Sequence, residues 1–292
     1  MNFKYFIHFF VLSFIFCSCS SEENLTTSNP SQMEEEEKEM NEVILPNIDL
    51  NNWKVTLPIG NPTEVEPPEI LDYPNLDILK KYMYHDPKDQ SIVFYTEPGS
   101  TTTNTKYSRT ELREQMVPGS NNTNWTFDQG GTMSGKLKVN RVSGVAGKLD
   151  RIIIMQIHGR LTNEQRDLIG ASDNNAPPVL KIYWDDNQIN VRRKILKDTD
   201  VSDTDILKKD AWKDESKWFS KKVATNQFEL SIKVSGSRMD ITLDNEDTLT
   251  FDDIHTQKWG VFENYFKAGN YLQSTEAGTF SEVKYYELAV SH

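Results

Sequence analysis

Hydrophobic and polar residues alternate along short stretches of this chain with a period of two. The clearest stretch is Phe228-Leu230-Ile232-Val234, and Met239-Ile241-Leu243 repeats the pattern after the turn Ser235-Gly236-Ser237. Alternation of this kind puts one side of a strand on a core and the other side in solvent. It therefore predicts a β-hairpin here, and Asp185-Asp186-Asn187 predicts a second hairpin turn.

The rest of the chain predicts further strands and little helix. Short helices are expected at Asp72–Tyr84 and Thr162–Ile169, and the Lys- and Asp-rich residues 195–225 are expected to form a long connection. A connection of that length is uncommon unless it covers a site or moves. Many short strands with few helices predict an all-β sandwich or barrel of antiparallel sheets. The other predicted strands are Trp53–Leu57, Ser91–Thr96, Tyr107–Gln115, Thr132–Asn140, Arg151–His158, Val179–Trp184, Gln188–Arg193, Tyr265–Gln273 and Thr279–Ala289.

The N-terminal residues are typical of an export signal. Lys4 precedes the apolar run Phe6–Phe16, which is followed by Cys17-Ser18-Cys19-Ser20. The run of about 11 residues is too short to span a bilayer, which needs roughly 20. A cysteine after a small residue resembles a bacterial lipoprotein signal, with Cys19 as the lipidated residue and Cys17 as the alternative. An ordinary signal peptide without lipid is the competing interpretation.

Composition divides the chain into a signal peptide at 1–19, a disordered acidic tether at 20–45 and one folded domain at 46–292. Residues 1–45 hold eight Glu and two Lys, which is half of the net charge of −12. The domain is only mildly acidic, so a local basic groove is possible, but it lacks the dense Lys and Arg cluster of a nucleic-acid-binding protein. The expected protein is an exported monomer, either an outer-membrane or cell-surface lipoprotein or a secreted protein. Its membrane contact is expected only through the N-terminal anchor.

Three of the predicted strands carry dense polar faces. Solvent exposure alone explains one such face on an antiparallel strand. Arg, Gln, His, Lys and Tyr together, however, are the residue types that hold a carboxylate and transfer protons. The polar faces consist of Arg109, Glu111 and Arg113 on the first strand, Gln156 and His158 on the second, and Tyr265, Lys267, Tyr271 and Gln273 on the third.

This set of residues suits the cleavage of a uronic acid polymer without water. Removing the C5 proton beside the carboxylate, and expelling the 4-linked oxygen, requires donors that neutralise the carboxylate. Arg109 and Gln156 fit that task. His158 titrates near neutrality and Tyr271 can act as acid or base, so they are the candidates for proton transfer. No metal or cofactor is required.

The segments Arg109-Thr-Glu-Leu-Arg113, Gln156-Ile-His158 and Tyr265-Phe-Lys-Ala-Gly-Asn-Tyr271 resemble the three signature motifs of the alginate lyases of polysaccharide lyase family 7. Their order and spacing match as well, and the resemblance extends over 46–292. It implies a β-jelly roll, a concanavalin-like sandwich of two curved antiparallel sheets. It also implies that alginate lies in a groove on the concave face of one sheet.

The resemblance implies roles for individual residues. Carboxylate neutralisation falls to Arg109 and Gln156. The base and the acid are His158 and Tyr271. Positions that support the site or bind sugar are Glu111, Arg113, Lys267 and Gln273.

Two positions bear on specificity. The third motif commonly continues with Tyr-Asn-Gln, whereas this chain has Leu272 before Gln273, which puts the fine positioning of the site in doubt. Ile157 in place of Val resembles members that accept guluronate-containing blocks. Cleavage within the polymer or from its ends stays open.

Two other functions compete with this interpretation. One is a lyase for another polyuronate such as glucuronan, and the other is a non-catalytic carbohydrate-binding jelly roll at the cell surface. A binding module would have no use for His158 together with Tyr271. Asp252-Asp253 and the acidic stretch Asp198–Asp205 could bind calcium, but neither spacing matches a known calcium loop, and solvated acids are the simpler interpretation.

Overall fold

The computed structural model describes residues 45–102, 105–145 and 148–292. The predicted signal peptide, Cys19 and nearly all of the tether lie outside the described residues and stay predictions. Within the described residues, no helix combines the length and the apolar character needed to cross a membrane.

Strands dominate the described part of the chain, as predicted. Two short α-helices, α1 (Asn163–Leu168) and α2 (Ile254–Lys258), lie between strands, and single 3-10 turns occur at Glu69–Asp72, Asp205–Leu207, Lys209–Ala211 and Trp259–Val261. The strands are β1 (Trp53–Thr56), β2 (Glu64–Val65), β3 (Met83–Asp86), β4 (Ser91–Thr96), β5 (Arg109–Glu114), β6 (Trp125–Thr126), β7 (Gly131–Val142), β8 (Gly144–Val145), β9 (Lys148–Leu149), β10 (Ile152–Arg160), β11 (Asn175–Asp185), β12 (Gln188–Leu196), β13 (Trp212–Lys222), β14 (Phe228–Ser235), β15 (Arg238–Leu243), β16 (Asp247–Phe251), β17 (Glu263–Leu272) and β18 (Ser281–Ser291).

Most of these strands form two antiparallel sheets that enclose one hydrophobic core. Among the described residues, the first sheet has nine strands in the order β13-β12-β11-β10-β17-β5-β1-β2, with β6 paired to β17. The second has seven strands in the order β16-β15-β14-β7-β18-β4-β3. The predicted alternation with a period of two is confirmed in β14. The apolar residues that are buried in the core there are Phe228, Leu230, Ile232 and Val234. Face-to-face packing of two alternating sheets is the physical basis of a β-sandwich.

Both predicted hairpin turns are confirmed. Ser235 pairs with Arg238 between β14 and β15, which leaves a two-residue turn. Asp185 pairs with Gln188 between β11 and β12. The two residues between them have positive φ angles of 48° and 74°, as the right-handed twist of a tight hairpin requires.

The three strands with polar faces are neighbours in the first sheet. β17 lies between β10 and β5. Lys267 is opposite Gln156 on one side and opposite Arg113 on the other. Side chains in register across neighbouring strands lie on the same face. The fold therefore joins the three predicted polar faces into one surface, called here the groove face.

Polar contacts cross the core directly beneath β17. Asn270, which interrupts the apolar pattern of its strand, is fully buried; its amide donates to the carbonyl oxygens of Phe94 and Ser281, each at 2.9 Å. The hydroxyl of Tyr285 donates to the Ile154 carbonyl at 2.6 Å and accepts from the Gly269 amide at 3.2 Å. These contacts link the second sheet to both β10 and β17.

The helix predicted at Asp72–Tyr84 is wrong. A 3-10 turn at Glu69–Asp72 is followed by further turns, and β3 begins at Met83. Leu79 and Met83 are both fully buried, and their spacing of four residues equals that of apolar residues on one face of a helix, which explains the wrong prediction. Pro74 opposes helical geometry at the residue before it and removes an amide donor.

The long connection predicted at 195–225 is wrong in its second half. β12 runs to Leu196, and Trp212–Lys222 forms β13, which pairs with β12 at the edge of the first sheet. The helix predicted at Thr162–Ile169 is confirmed as α1. Its N-cap, Thr162, forms a capping box with Gln165.

Candidate active site

The groove face forms the floor of two adjoining cavities. The larger, of about 660 Å³, is lined by Arg109, His158, Tyr265 and Lys267, together with Lys194, Lys209 and other residues. The smaller, of about 310 Å³, shares Arg109, Tyr265 and Lys267 and adds Arg113. Basic side chains from all three motif strands or their neighbours thus surround one open space, as binding of a polyanion requires.

Glu111 holds the centre of a buried polar cluster below these cavities. It is 1% exposed, forms an ion pair with Lys267 and accepts a hydrogen bond from the Gln156 amide. The Nε of Arg109 lies 3.8 Å from its carboxylate, and this buried nitrogen has no hydrogen-bond partner among the described residues. The Glu111 carboxylate holds the donor groups of Lys267, Gln156 and Arg109 in place. Because it carries one negative charge against two positive ones, the cluster keeps a net positive charge below the cavity. Glu111 lines neither cavity, so its contact with sugar stays a prediction.

His158 is held as a neutral imidazole. Its ring stacks on Tyr265 with centroids 5.2 Å apart, and its Nδ1 lies 2.9 Å from the Gly159 carbonyl oxygen. Because a carbonyl can only accept, Nδ1 carries the hydrogen and Nε2 keeps its lone pair. Burial, assisted by the nearby Lys267 charge, lowers the pKa of His158 to about 3. The imidazole is therefore uncharged at neutral pH.

Tyr271, in contrast to His158, has a raised pKa. Burial raises the pKa of Tyr271 to about 12, so the phenol keeps its proton at neutral pH. The Arg109 guanidinium lies over its ring at 5.4 Å. Between Tyr271 and Lys267 the groove face carries only Gly269, whose φ of 136° and close approach to the Thr110 carbonyl leave no room for a Cβ. Tyr271 lies beside the two cavities and does not line them.

The ammonium group of Lys267 has a lowered pKa. Burial lowers the pKa of Lys267 to about 8, and the neighbouring Arg109 adds to this effect while Glu111 opposes it. The ammonium is charged at neutral pH and loses its charge in mildly alkaline solution.

The two remaining predicted residues differ in position. Arg113 lies 4.2 Å over the Tyr265 ring and donates to the Glu114 carbonyl at 2.7 Å, so it is rigidly held at the smaller cavity. Gln273 lies just beyond the end of β17 and lines a separate cavity of about 360 Å³ with Arg151. The structure therefore does not bring Gln273 to the main group, and its sugar contact stays a prediction.

Sequence reasoning missed the cations that β11 and β12 add to this surface. Lys181 lies opposite Gln156 in β11, and Arg192 lies opposite Lys181 in β12. Lys181 lies between the buried apolar residues Leu180 and Ile182, and Arg192 follows the buried Val191, so extending the parity argument to these predicted strands would have found them.

The acidic pair Asp252-Asp253 has a structural role at its second member. Asp253 accepts a hydrogen bond from Arg193 at 2.8 Å and caps α2 by accepting from the Thr256 amide at 3.2 Å. In the described part of the chain, no group of three or more His, Cys, Asp or Glu side chains is arranged to hold a metal ion.

Comparison with known proteins agrees with this geometry. The family model described as alginate lyase matches residues 48–292. A search of the curated proteins found no match. Among solved structures, alginate lyase A1-II′, described as a member of polysaccharide lyase family 7, is 30% identical with a TM-score of 0.68, over 84% of this chain and 96% of that chain.

Two further structures are similar. A variant of A1-II′ in complex with the substrate GGMG is 28% identical with a TM-score of 0.67, over 84% of this chain and 94% of that chain. Alginate lyase AlgAT5 from polysaccharide lyase family 7 is 25% identical with a TM-score of 0.61, over 85% of this chain and 99% of that chain. The expected β-jelly roll is thereby confirmed. Since the family model covers most of the sequence and the fold is shared, the chain belongs to the alginate lyases of polysaccharide lyase family 7.

Proposed function

We propose that this protein cleaves the 4-linked uronate bonds of alginate by β-elimination and leaves an unsaturated uronate at the new non-reducing end. The observation that carries the proposal is that one groove face holds a neutral imidazole and a protonated phenol, above a buried cluster of net positive charge. These are the parts that proton abstraction beside a carboxylate needs.

In the proposed step, Arg109 and Gln156 donate to the substrate carboxylate and stabilise the charge that develops when C5 loses its proton. Nε2 of His158 takes that proton. The electron pair of the C5–H bond becomes the second bond between C4 and C5, and the bond from C4 to the leaving oxygen breaks. The Tyr271 hydroxyl gives its proton to that oxygen, so no water is consumed.

The presence of two separate proton-transfer groups favours guluronate-containing blocks. In guluronate the C5 proton and the leaving oxygen lie on opposite sides of the ring, so base and acid must be different groups, as His158 and Tyr271 are. In mannuronate both lie on the same side, and one group could serve both steps. Ile157 in the middle motif supports the same preference.

A relative offers independent support for the two proton-transfer residues. The A1-II′ variant solved with substrate has one His replaced by Asn and one Tyr replaced by Phe. These are the residue types to which we assign the base and the acid.

The test is the ultraviolet absorbance of the unsaturated uronate during incubation with alginate, with glucuronan in parallel. Tyr271→Phe should lower turnover by about 10²–10⁴-fold, since a general acid is lost while the ring remains. Tyr286→Phe is the matched control, because that phenol belongs to the second sheet, where it donates to Asp89 at 3.0 Å. His158→Ala should impair guluronate blocks most.

Several results would contradict parts of this scheme. Retention of more than about a tenth of wild-type turnover by Tyr271→Phe would show that the leaving oxygen takes its proton elsewhere. Binding of alginate without any absorbance change would identify a carbohydrate-binding module. Faster cleavage of glucuronan than of alginate would show that glucuronan, and not alginate, is the preferred substrate.

We also propose that the protein is exported and held at the cell surface through a lipid on Cys19. Support comes from the sequence: a short apolar run, a cysteine after a small residue, and a polar acidic segment before the domain. An enzyme for a large extracellular polymer would work outside the cell.

A further inference from the structure

A pair of arginines outside the three motif strands encloses a buried tyrosine. The ring of Tyr183 in β11 is 4% exposed. The guanidinium of Arg192 lies over it at 4.8 Å and that of Arg151 at 5.2 Å. Tyr183 also belongs to a small apolar cluster with Ile153 and Tyr271, so it is part of the groove face.

These two guanidinium groups have donors to spare. Among the described residues, neither guanidinium has a carboxylate within 4.0 Å. The side-chain hydrogen bond from Arg192 Nε to Asn190 Oδ1, at 2.9 Å, is the only one that either of them makes there. Several other cations near the groove are neutralised by an acid. Lys54 pairs with Glu64 at 2.5 Å, Arg160 with Glu263 at 2.5 Å, and Lys194 with Asp214 at 2.7 Å.

The tyrosine holds both arginines in defined positions. A guanidinium stacked on an aromatic ring loses much of its freedom while its terminal N–H groups stay available. A planar fork of this kind matches the two oxygens of a carboxylate. The same arrangement recurs at the catalytic group, where Arg109 lies over Tyr271 and Arg113 over Tyr265.

The strand register gives the distance from the catalytic group. Tyr271 is opposite Ile153, and Ile153 is opposite Tyr183. The ring of Tyr183 is therefore two strands from Tyr271, or about 10 Å at the usual spacing between strands. Next along the same row, Asn190 is opposite Trp218 of β13, an indole that is 47% exposed.

We propose that Arg151 and Arg192, held on Tyr183, form a second carboxylate-binding subsite for a uronate unit of the same polymer, about two sugars from the bond that is cleaved. A sugar repeat is comparable in length to the spacing between strands, so a chain crossing the strands reaches this position. Trp218 offers the next sugar a flat apolar surface. The inference rests on the proposed function and extends it, because it makes the enzyme select long polyuronate chains over short ones.

The double variant Arg151→Ala/Arg192→Ala tests this subsite. Its KM for polymeric alginate should rise about tenfold while kcat stays near the wild-type value, because the contact lies away from the reacting atoms. On the shortest oligomer that the wild type cleaves, both constants should change little. The corresponding double Lys variant keeps the charges without the forks and should recover only part of the affinity.

The matched control is Arg238→Ala. Arg238 is an exposed arginine of β15 in the second sheet, paired with Asp240 at 2.8 Å, so its loss removes a positive charge away from the groove. Equal KM values for the double variant and this control on polymer would overturn the subsite. A fall in kcat on polymer and oligomer alike, with KM unchanged, would also overturn it by revealing a purely structural role.

Failure of the proposed function gives a different result. A wild type that releases no unsaturated product refutes the lyase, and affinity electrophoresis in alginate gels then tests the subsite alone. Retardation of the wild type but not of the double variant would support it, and equal retardation would overturn it.

Discussion

The hydroxyl of Tyr285 offers a sharp test of how the second sheet supports the three motif strands. It contacts the main chain at Ile154, two residues from Gln156, and at Gly269, two residues from both Lys267 and Tyr271. Tyr285→Phe removes only this oxygen and keeps the ring in the core. The buried Ile154 carbonyl and the Gly269 amide then each lose a partner that no water can replace.

The expected loss of stability follows from those two contacts. A buried polar group left without its partner costs about 1–3 kcal/mol. One contact is short, at 2.6 Å, and the other is longer and weaker, at 3.2 Å. The free energy of unfolding should therefore fall by about 2–4 kcal/mol, a large share of a typical domain's stability. With an m value of about 3 kcal/mol per M, the urea midpoint falls by about 1 M.

The neighbouring residue supplies the control. Tyr286 is partly exposed on the outer face, and its hydroxyl donates to Asp89 at 3.0 Å. Tyr286→Phe should change the stability by less than about 0.5 kcal/mol. Unfolding in urea is followed by the fluorescence of the buried tryptophans, and turnover is measured in native buffer, where only Tyr285→Phe should lower kcat. The same urea midpoint for both variants would refute the proposed support.

Four further results are expected. kcat/KM on polymeric alginate should fall as pH rises through about 8, because Lys267 loses its proton and the buried cluster loses its net positive charge. Lys267→Arg should remove this decline. A flat wild-type profile from pH 7 to about 9.5 would contradict the assignment. Arg109→Lys should abolish turnover, since an ammonium cannot form the guanidinium's two parallel contacts; near-normal kcat/KM would argue against a bidentate role. Chelators should leave turnover intact in buffered salt, and a loss that calcium restores would reveal a metal site. Cys19→Ala should move the protein from the membrane fraction to the soluble fraction on immunoblots, and an unchanged distribution would argue against lipidation.

Local pattern was enough to predict most strands and the polar faces of three of them. Arg109, Glu111 and Arg113 do share one face, as do Gln156 and His158, because alternation depends only on neighbouring residues. The adjacency of the three strands could not be predicted in this way, since it arises from pairing between distant segments. Sequence also could not show that Glu111 lies buried beneath the donors, which depends on packing from both neighbouring strands.

The errors have physical causes as well. β13 shows no alternation in its sequence because it lies at a sheet edge, where only Trp212 and Phe219 are buried. Asn270 seemed to break the apolar face of β17, yet it belongs to that face and is satisfied by main-chain groups of the other sheet. A polar residue in a core can be recognised from sequence only when its distant partners are known.

The position of β13 at the sheet edge has a consequence for self-association. Within the described residues β13 pairs only with β12, so its other side presents unpaired main-chain donors and acceptors to solvent. Such an edge invites a strand from a second molecule, and the exposed Trp218 adds to that tendency. The same strand carries four lysines against the two acids Asp214 and Glu215, and bringing two such edges together would bring net positive charges into contact. The lysines of this edge thus allow an open aromatic surface at the end of the groove without turning it into a template for aggregation.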